Sequence, residues 1–428
     1  MAKKPKLLWV GDFAAMTGFG RVSGALLPLL RDEYEVVVLA CNWHGDVTPE
    51  QELFKMYPAS NRFQQEPFGV DRIREIVERE KPDVICTLND PWIVSEQYKR
   101  IQDLHQAGLF KFCGYLTMDS YNWLGGIDSH INDWDALISF TEFGAYEFIK
   151  AGVRKPISVI PHGLDTGMFY PMDKSEARKR LGLSDDVFIV FNGNRNQFRK
   201  RIDITISAFA KFAVGRPEAR LYLHMGLKDQ GWDIMPLFAR EMQKNGLDPN
   251  NRIIMSANTP NPPNVEVDLL NAIYNAADVG VNTTKGGGWE LVNFEQAACR
   301  VAQIVPDHTS TKEIFEGCGK LIRCDHIDVD TNFGREMPCP SDEHLKELLV
   351  ELYEDREQLQ SVADKCYERV TDQCFQWPTV AAEFHKVFQE VLAGEYDDTP
   401  EKQGLPVALE KKSKKRKKGK TLKELVSV

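Results

Sequence analysis

The sequence predicts an α/β protein made of two Rossmann-like, doubly wound domains facing each other across a cleft, followed by C-terminal helices and a disordered basic tail. Three observations carry this. The chain has 428 residues, 43% of them hydrophobic, which is too long for one ordinary core and apolar enough for two. Strand-like and helix-like runs alternate, as they do where helices cover both faces of a parallel sheet. The alternation also starts afresh after Pro161-His162-Gly163-Leu164-Asp165, a short passage that reads as a hinge.

In the first half, residues 6–10 form an apolar strand ending at Gly11-Asp12, and Thr17-Gly18-Phe19-Gly20 leads into a helix through Leu30. Strands are expected at 35–40, 83–88, 112–117, 136–139 and 157–160, with helices at 71–80 and 142–150. In the second half, strands are expected at 187–191, 220–225, 252–255, 279–282 and 303–305. Helices fall at 202–214, 232–244, 267–276 and 291–299. Helical stretches at 342–354, 357–370 and 380–393 close the folded part. The expected divisions are residues 1–162, residues 163–375, a helix within 376–396 that returns to the first domain, and a tail over 397–428.

The net charge of -10 is unevenly spread, because residues 398–428 carry a balance of about +6. Lys411 to Lys420 holds eight positive charges in ten residues, too little apolar surface to fold alone. The acidic body disfavours nucleic acid or anionic membrane as a general partner, which leaves such contacts to the tail or a local groove. Nine scattered cysteines, without a Cys-x-x-Cys pair or a His cluster at ligand spacing, read as buried, reduced thiols rather than a disulfide framework or zinc site. No run approaches a signal-peptide core or a membrane span, so a cytoplasmic location is expected.

Two loops carry the chemistry. Asn192-Gly193-Asn194-Arg195 ends a strand, and Asn196 to Arg201, including Arg199 and Lys200, precedes a helix. Small residues, fixed cations and a helix N-terminus at the carboxyl end of a strand suit a diphosphate. The second loop, Asn282 to Glu290, contains Gly286-Gly287-Gly288, which lets backbone approach a ligand closely; Glu295 lies one turn into the helix that follows. Each loop also has a plainer reading as a solvated surface turn.

These motifs resemble the glycosyltransferase group 1 family, retaining enzymes of the GT-B fold, over roughly residues 6–390. Residues 159–165 resemble the family's interdomain Pro-His-Gly-x-Asp passage, and Asn192–Arg195 with Lys200 its Gly-Arg…Lys phosphate motif. Tyr274 and Asp278 match its Tyr-x-x-Ala-Asp segment. The resemblance implies an acceptor domain first and a donor domain second. It implies a nucleoside-diphosphate sugar as co-substrate, retention of configuration, and no cofactor or required metal. Arg195 and Lys200 would neutralise the diphosphate, and Glu295 would hold the ribose. His162, Gly193, Gly286, Gly287, Gly288, Trp289, Glu290 and Leu291 would line the donor site. In the first half, Gly18 and Gly20 resemble the family's Gly-rich loop, with the Gly20 N–H directed at the phosphates. Asp119 is the carboxylate expected to position or deprotonate an acceptor hydroxyl, and a helix-capping role is the alternative. For His162 the alternative is a histidine satisfied by backbone partners.

The chain departs from the family in the Glu-x7-Glu segment, where Gly287 stands in place of the first Glu and Glu290 follows three residues later. Three readings stay open: Glu290 reaches the sugar from a shifted position, the sugar differs, or activity is lost and a binding or scaffold protein remains. An epimerase or phosphorylase is a further rival. A dinucleotide oxidoreductase is disfavoured, since the glycines come late after the first strand and the second strand ends in Ala40-Cys41-Asn42 without an acidic residue. The acceptor, whether glycan, lipid, protein or modified DNA, is not specified by sequence, and the Lys-rich tail suggests an anionic partner, a nuclear-localisation signal or mere solubilisation. Asp328-Val329-Asp330 reads as a loop rather than a metal signature.

Overall fold

The computed structural model describes residues 3–60, 65–123, 127–261, 263–331 and 334–396, so the Lys411–Lys420 segment lies outside the described residues. Seven strands form the first sheet: β1 (Lys6–Asp12), β2 (Glu35–Cys41), β3 (Lys55–Pro58), β4 (Val84–Asn89), β5 (Lys111–Leu116), β6 (Ala136–Ser139) and β7 (Ile157–Val159). All pair in parallel, in the order β3-β2-β1-β4-β5-β6-β7. Six more form the second: β8 (Phe188–Asn192), β9 (Ala219–Leu223), β10 (Ile253–Met255), β11 (Val279–Val281), β12 (Ala302–Pro306) and β13 (Lys320–Ile322). Their order is β10-β9-β8-β11-β12-β13, again parallel. In each sheet the order reverses at one point, between β1 and β4 and between β8 and β11. Doubly wound sheets open a crevice at the carboxyl ends of such a strand pair.

The strands are apolar on both faces because helices cover both. In β1, Leu7 and Trp9 enter one core while Leu8 and Val10 enter the other; in β2, Val36 and Val38 alternate with Val37 and Leu39 in the same way. The first sheet is flanked by α1 (Gly18–Leu30), α2 (Ile73–Glu80), α3 (Pro91–Lys99), α4 (Gln102–Gln106) and α5 (Glu142–Lys150). The second carries α6 (Lys174–Leu181), α7 (Ile202–Phe212), α8 (Ile234–Lys244), α9 (Val267–Ala276), α10 (Leu291–Ala298) and α11 (Thr309–Phe315), followed by α12 (Asp342–Glu354) and α13 (Arg356–Val370). Caps define several of these ends: Thr17 accepts from the Gly20 N–H at the start of α1, and Ser341 accepts from the His344 N–H at the start of α12.

The last helix, α14 (Trp377–Ala393), crosses back to the first domain and lies against α1. Phe384 meets the rings of Trp9 and Tyr115 at 6.3 and 4.9 Å, and Phe388 meets Tyr34 at 5.7 Å. At the hinge, the Leu164 N–H donates to the Phe375 carbonyl (2.7 Å), and the Trp377 indole covers Gly163 so closely that a Cβ there would collide with it.

Several elements differ from the sequence expectation, and α4, α6, α11 and β13 fall where it placed no run. β3 and α3 were not anticipated, the one a short edge strand and the other an uneven helix begun by Asp90-Pro91. The Asp328-Val329-Asp330 passage is not all loop: Asp328 and Val329 end strand β14 (Cys324–Val329), which pairs antiparallel with β15 (Glu336–Pro340). This hairpin is mostly exposed on its first strand, so pairing rather than burial holds it, and no apolar alternation marks it in the sequence. The thiols depart too, since Cys374 is exposed and Cys324 half-buried while the rest are buried.

Phe384→Ala should cost about 3–5 kcal/mol, the usual result of emptying a fully buried aromatic site. Urea unfolding followed by tryptophan fluorescence checks it, and a loss below about 1 kcal/mol would mean that α14 does not anchor the first domain.

Candidate functional site

The loops after β8 and β11 meet at the switch point of the second sheet, and there Lys200 and Glu290 form an ion pair (Nζ–Oε1 2.5 Å) that is almost wholly buried. Asn282 donates to the second Glu290 oxygen (2.9 Å). Burial alone would raise the Glu290 carboxyl, but Lys200 and Arg199 outweigh it and hold it below the ordinary range. Burial lowers the Lys200 ammonium, with Glu290 offsetting part of that. Glu290 adopts a left-handed backbone (φ 71°), which turns its side chain back over the glycine loop. A Cβ at position 287 would collide with the Glu290 carboxylate. The absent side chain at 287 and the carboxylate at 290 therefore belong together: one vacates the space the other fills.

The glycines were expected to face ligand, and the structure brings them against protein instead. Gly286 lies on the Asp119 backbone and Gly288 on the Thr117 hydroxyl, both in the loop after β5, with no room for a Cβ at either. None of the three has a positive φ, so space and not backbone freedom requires glycine here. The Gly287 carbonyl accepts from Ser310 (2.7 Å), and the neighbouring Thr284 carbonyl lies 3.0 Å from the His308 ring; burial pushes that imidazole down to about 4. His308 and Ser310 carried no sequence signal, since they support the loop from β12 onward.

Gly20 is also corrected. Its N–H, expected to reach phosphate, donates to the Thr17 hydroxyl (3.0 Å), and a Cβ there would strike the Ala15 carbonyl. A Cβ on Gly18 would come within 3.3 Å of Leu291 across the cleft, and one on Gly193 within 2.9 Å of Phe191 and Val292. Arg195 does not join Lys200: it binds Asp229 through both carboxylate oxygens (2.5 and 3.1 Å) and is half exposed. Glu295, expected to await ribose, is paired with Arg21 of the Gly-rich loop and accepts from Tyr274 (3.0 Å). Burial keeps the Glu295 carboxyl raised despite Arg21.

His162 is buried, with its Nδ1 2.7 Å from the Tyr115 hydroxyl and its ring among Tyr115, Phe140 and Trp289. Burial pushes it down to about 3, so it is neutral. Trp289 packs with Phe294 and Phe375 in the same cluster, so its ring is part of the hinge packing.

On the facing side, Asp119 lies between Arg199 (3.7 Å) and Arg335 (3.6 Å). Arg335 comes from the β14–β15 hairpin, whose Glu336 exchanges backbone hydrogen bonds with Tyr121 (3.0 and 2.9 Å). Asp90, directly after β4 at the first sheet's switch point, faces the same group; burial and then Asp119 push its carboxyl up to about 7. Asp90 and Arg335 escaped the sequence reading, and so did the pairing of Arg21 with Glu295, because the groups they meet lie on other elements. The hairpin also brings ligand atoms of His326, Asp328 and Cys339 within 4.8 Å, a grouping hidden by the 339 position. Lys285 binds Asp328 (2.7 Å), and Arg201 lies against the Cys339 sulfur (2.5 Å). Among the described residues, no helix is long and apolar enough to cross a membrane.

No protein-family model matches the chain. D-inositol 3-phosphate glycosyltransferase of Geodermatophilus obscurus is 30% identical over 179 residues, 41% of this chain and 38% of that protein. D-inositol 3-phosphate glycosyltransferase 2 of Catenulispora acidiphila is 26% identical over 219 residues, 49% of each. The matched stretch thus spans less than half the length of these relatives. Among solved structures, sucrose-phosphate synthase from Thermosynechococcus elongatus superposes with a TM-score of 0.69 at 18% identity, covering 92% of this chain and all of that one. Anabaena Alr3699/HepE, in complex with UDP and glucose, gives 0.65 at 15% identity over 90% of this chain and all of that one. At such identities the structural likeness is one of fold: the chain has the GT-B fold, and the resemblance to group 1 glycosyltransferases is borne out.

A carboxyl raised on folding, like that of Asp90, supports the fold only while protonated. Its contribution is complete below about pH 4 and lost as pH rises through about 7. Asp90→Asn should therefore raise the urea midpoint at about pH 8 and leave it nearly unchanged at about pH 4, and an equal effect at both would contradict the burial of this group.

Proposed function

We propose that the chain is a glycosyltransferase that binds a nucleoside-diphosphate sugar between the carboxyl ends of its two sheets and transfers the sugar, with retention, to an acceptor hydroxyl. The observation that carries this is Glu290 folded over Gly287 onto Lys200. A carboxylate and an ammonium are held together at a switch point, beside a loop that closes on the opposite domain. This arrangement supports the reading that Glu290 supplies from a shifted position what a Glu at 287 would supply.

In the reaction, the acceptor oxygen bonds to the anomeric carbon as the bond from that carbon to the diphosphate oxygen breaks. The electron pair leaves with the nucleoside diphosphate, and the hydroxyl proton passes to the departing phosphate. Lys200, aided by Arg199, meets the developing negative charge in a buried setting where a fixed cation acts strongly. With these cations supplying the charge, no metal is required, and transfer should survive chelator. Glu290, released in part from Lys200 by the phosphates, accepts hydrogen bonds from sugar hydroxyls. Glu295 takes the ribose when Arg21 turns from it toward the diphosphate. The neighbours' names point the same way: HepE was solved with UDP-glucose, and the curated relatives are transferases.

Calorimetry against a panel of nucleotide sugars, UDP-glucose first, tests the reading. Lys200→Ala should weaken the bound donor by about 100-fold, and Arg195→Ala by much less because Arg195 is already committed to Asp229. Absence of binding to every member of the panel would sink the proposal. Gly287→Ala should lower transfer without abolishing donor binding, since the methyl group displaces Glu290 and leaves the ribose end intact. Wild-type transfer rates in that variant would remove the role given to Glu290.

A further inference from the structure

The β14–β15 hairpin belongs to neither large sheet, yet it reaches from the second domain to the loop after β5 in the first. Beyond its backbone pairing with Tyr121, Asn122 donates to the Glu336 carboxylate (2.6 Å). The guanidinium of Arg335 lies over the Trp123 ring at 4.9 Å, and Trp123 stacks on the half-buried Trp92 (5.7 Å, 16°). The hairpin thus carries a cation across the cleft and fixes it beside Asp119. The charged groups facing Asp90 are Asp119 from the β5 loop, Arg199 from the loop after β8 and Arg335 from the hairpin.

With Asp330, three carboxyls face two guanidinium groups, and each guanidinium already has a partner: Arg335 binds Asp330 (3.1 Å) and Asp119, and Arg199 binds the Gly286 carbonyl and Asp119. A phosphorylated acceptor would have to strip a guanidinium from its carboxylate and then lie beside Asp90 and Asp119, paying desolvation and repulsion together. Vicinal hydroxyls face no such conflict, because each donates to a carboxylate and accepts from a guanidinium N–H.

We propose that Asp90, Asp119 and Arg335 form the acceptor subsite and that it takes a neutral polyhydroxy acceptor, a sugar or cyclic polyol, rather than an anionic one. This rests on the transferase reading above. Asp90 receives the hydrogen bond of the attacking hydroxyl and orients it, while the proton itself leaves on the departing diphosphate. Arg335 donates to the oxygen of the neighbouring hydroxyl and makes the hairpin a determinant of specificity. The rise of the Asp90 carboxyl toward neutral pH fits a group enclosed with its substrate, and it makes acceptor use depend on pH.

The test uses the full chain with the nucleotide sugar found by calorimetry, and D-glucose, D-fructose and myo-inositol against the monophosphate of each. Transfer is expected to at least one neutral probe, with its monophosphate poorer by about tenfold or more in kcat/KM. Asp90→Asn should raise the acceptor KM by about 30-fold, with donor Kd held within about twofold, and should flatten the fall in KM that the wild type shows as pH rises through about 7. Arg335→Gln should also raise the acceptor KM and reorder the neutral probes, with donor Kd preserved. Preference for a monophosphate, donor hydrolysis without transfer to any neutral probe, or an unchanged acceptor KM and pH profile in Asp90→Asn would each overturn the proposal. Failure to bind any nucleotide sugar is read separately, by calorimetry, and removes the transferase reading and this one with it.

Discussion

The buried Lys200–Glu290 pair is the interaction around which the second domain's loops are arranged. Two charges taken from water cost several kcal/mol each, and their attraction repays that only when the remaining hydrogen-bonding capacity is filled. Asn282 fills part of it on the Glu290 side, and Arg199 adds positive charge nearby. Asn282 in turn bonds Asn293 on α10, and Thr283 bonds Thr205 on α7, so the pair is set in polar contacts that join both helices to the β11 loop. Glycine at 287 is a condition of this arrangement, because the Glu290 carboxylate occupies the space that a side chain there would need.

The same economy of space governs the cleft. Gly286 and Gly288 allow the β11 loop to lie on Asp119 and Thr117, and Gly18 allows α1 to start beside Leu291. Charges then complete the contact: Arg21 reaches Glu295, while Arg199 and Arg335 reach Asp119. Further along, the Glu142 and Phe143 N–H groups donate to Glu313 (2.9 and 2.8 Å). Most of these links are ionic or charge-assisted rather than apolar. Arriving phosphate or hydroxyl groups can therefore exchange for them, which an apolar seam would not permit without exposing its surface to water.

The catalytic reading places the two substrates at equivalent points of two similar sheets. Under the proposed transfer the donor's phosphates would meet the reversal between β8 and β11, while Asp90 stands at the reversal between β1 and β4. At the hinge, neutral His162 and the Trp289 ring join the domains through aromatic contacts, away from the exchangeable charges. Closure and chemistry are in this way assigned to different residues, although they are close in sequence.

What the sequence by itself determined was whatever depends on neighbours in the chain. The two sheets and most helices were legible, as was the run of small residues and cations after β8, because alternating apolar runs and loop composition are local properties. Lys200, Glu290 and Glu295 stood out as candidates for the same reason, as did the missing carboxylate at 287. Tertiary structure alone decided what those groups bind: Arg195 goes to Asp229, Glu295 to Arg21, the Gly20 N–H to Thr17, and the glycines to the opposite domain. It alone showed Asp90, and the hairpin that carries Arg335 across the cleft. The physical reason is that an ion pair or a close backbone approach depends on distance in space, and Arg21 and Glu295 stand 274 residues apart, a separation over which no local pattern carries information.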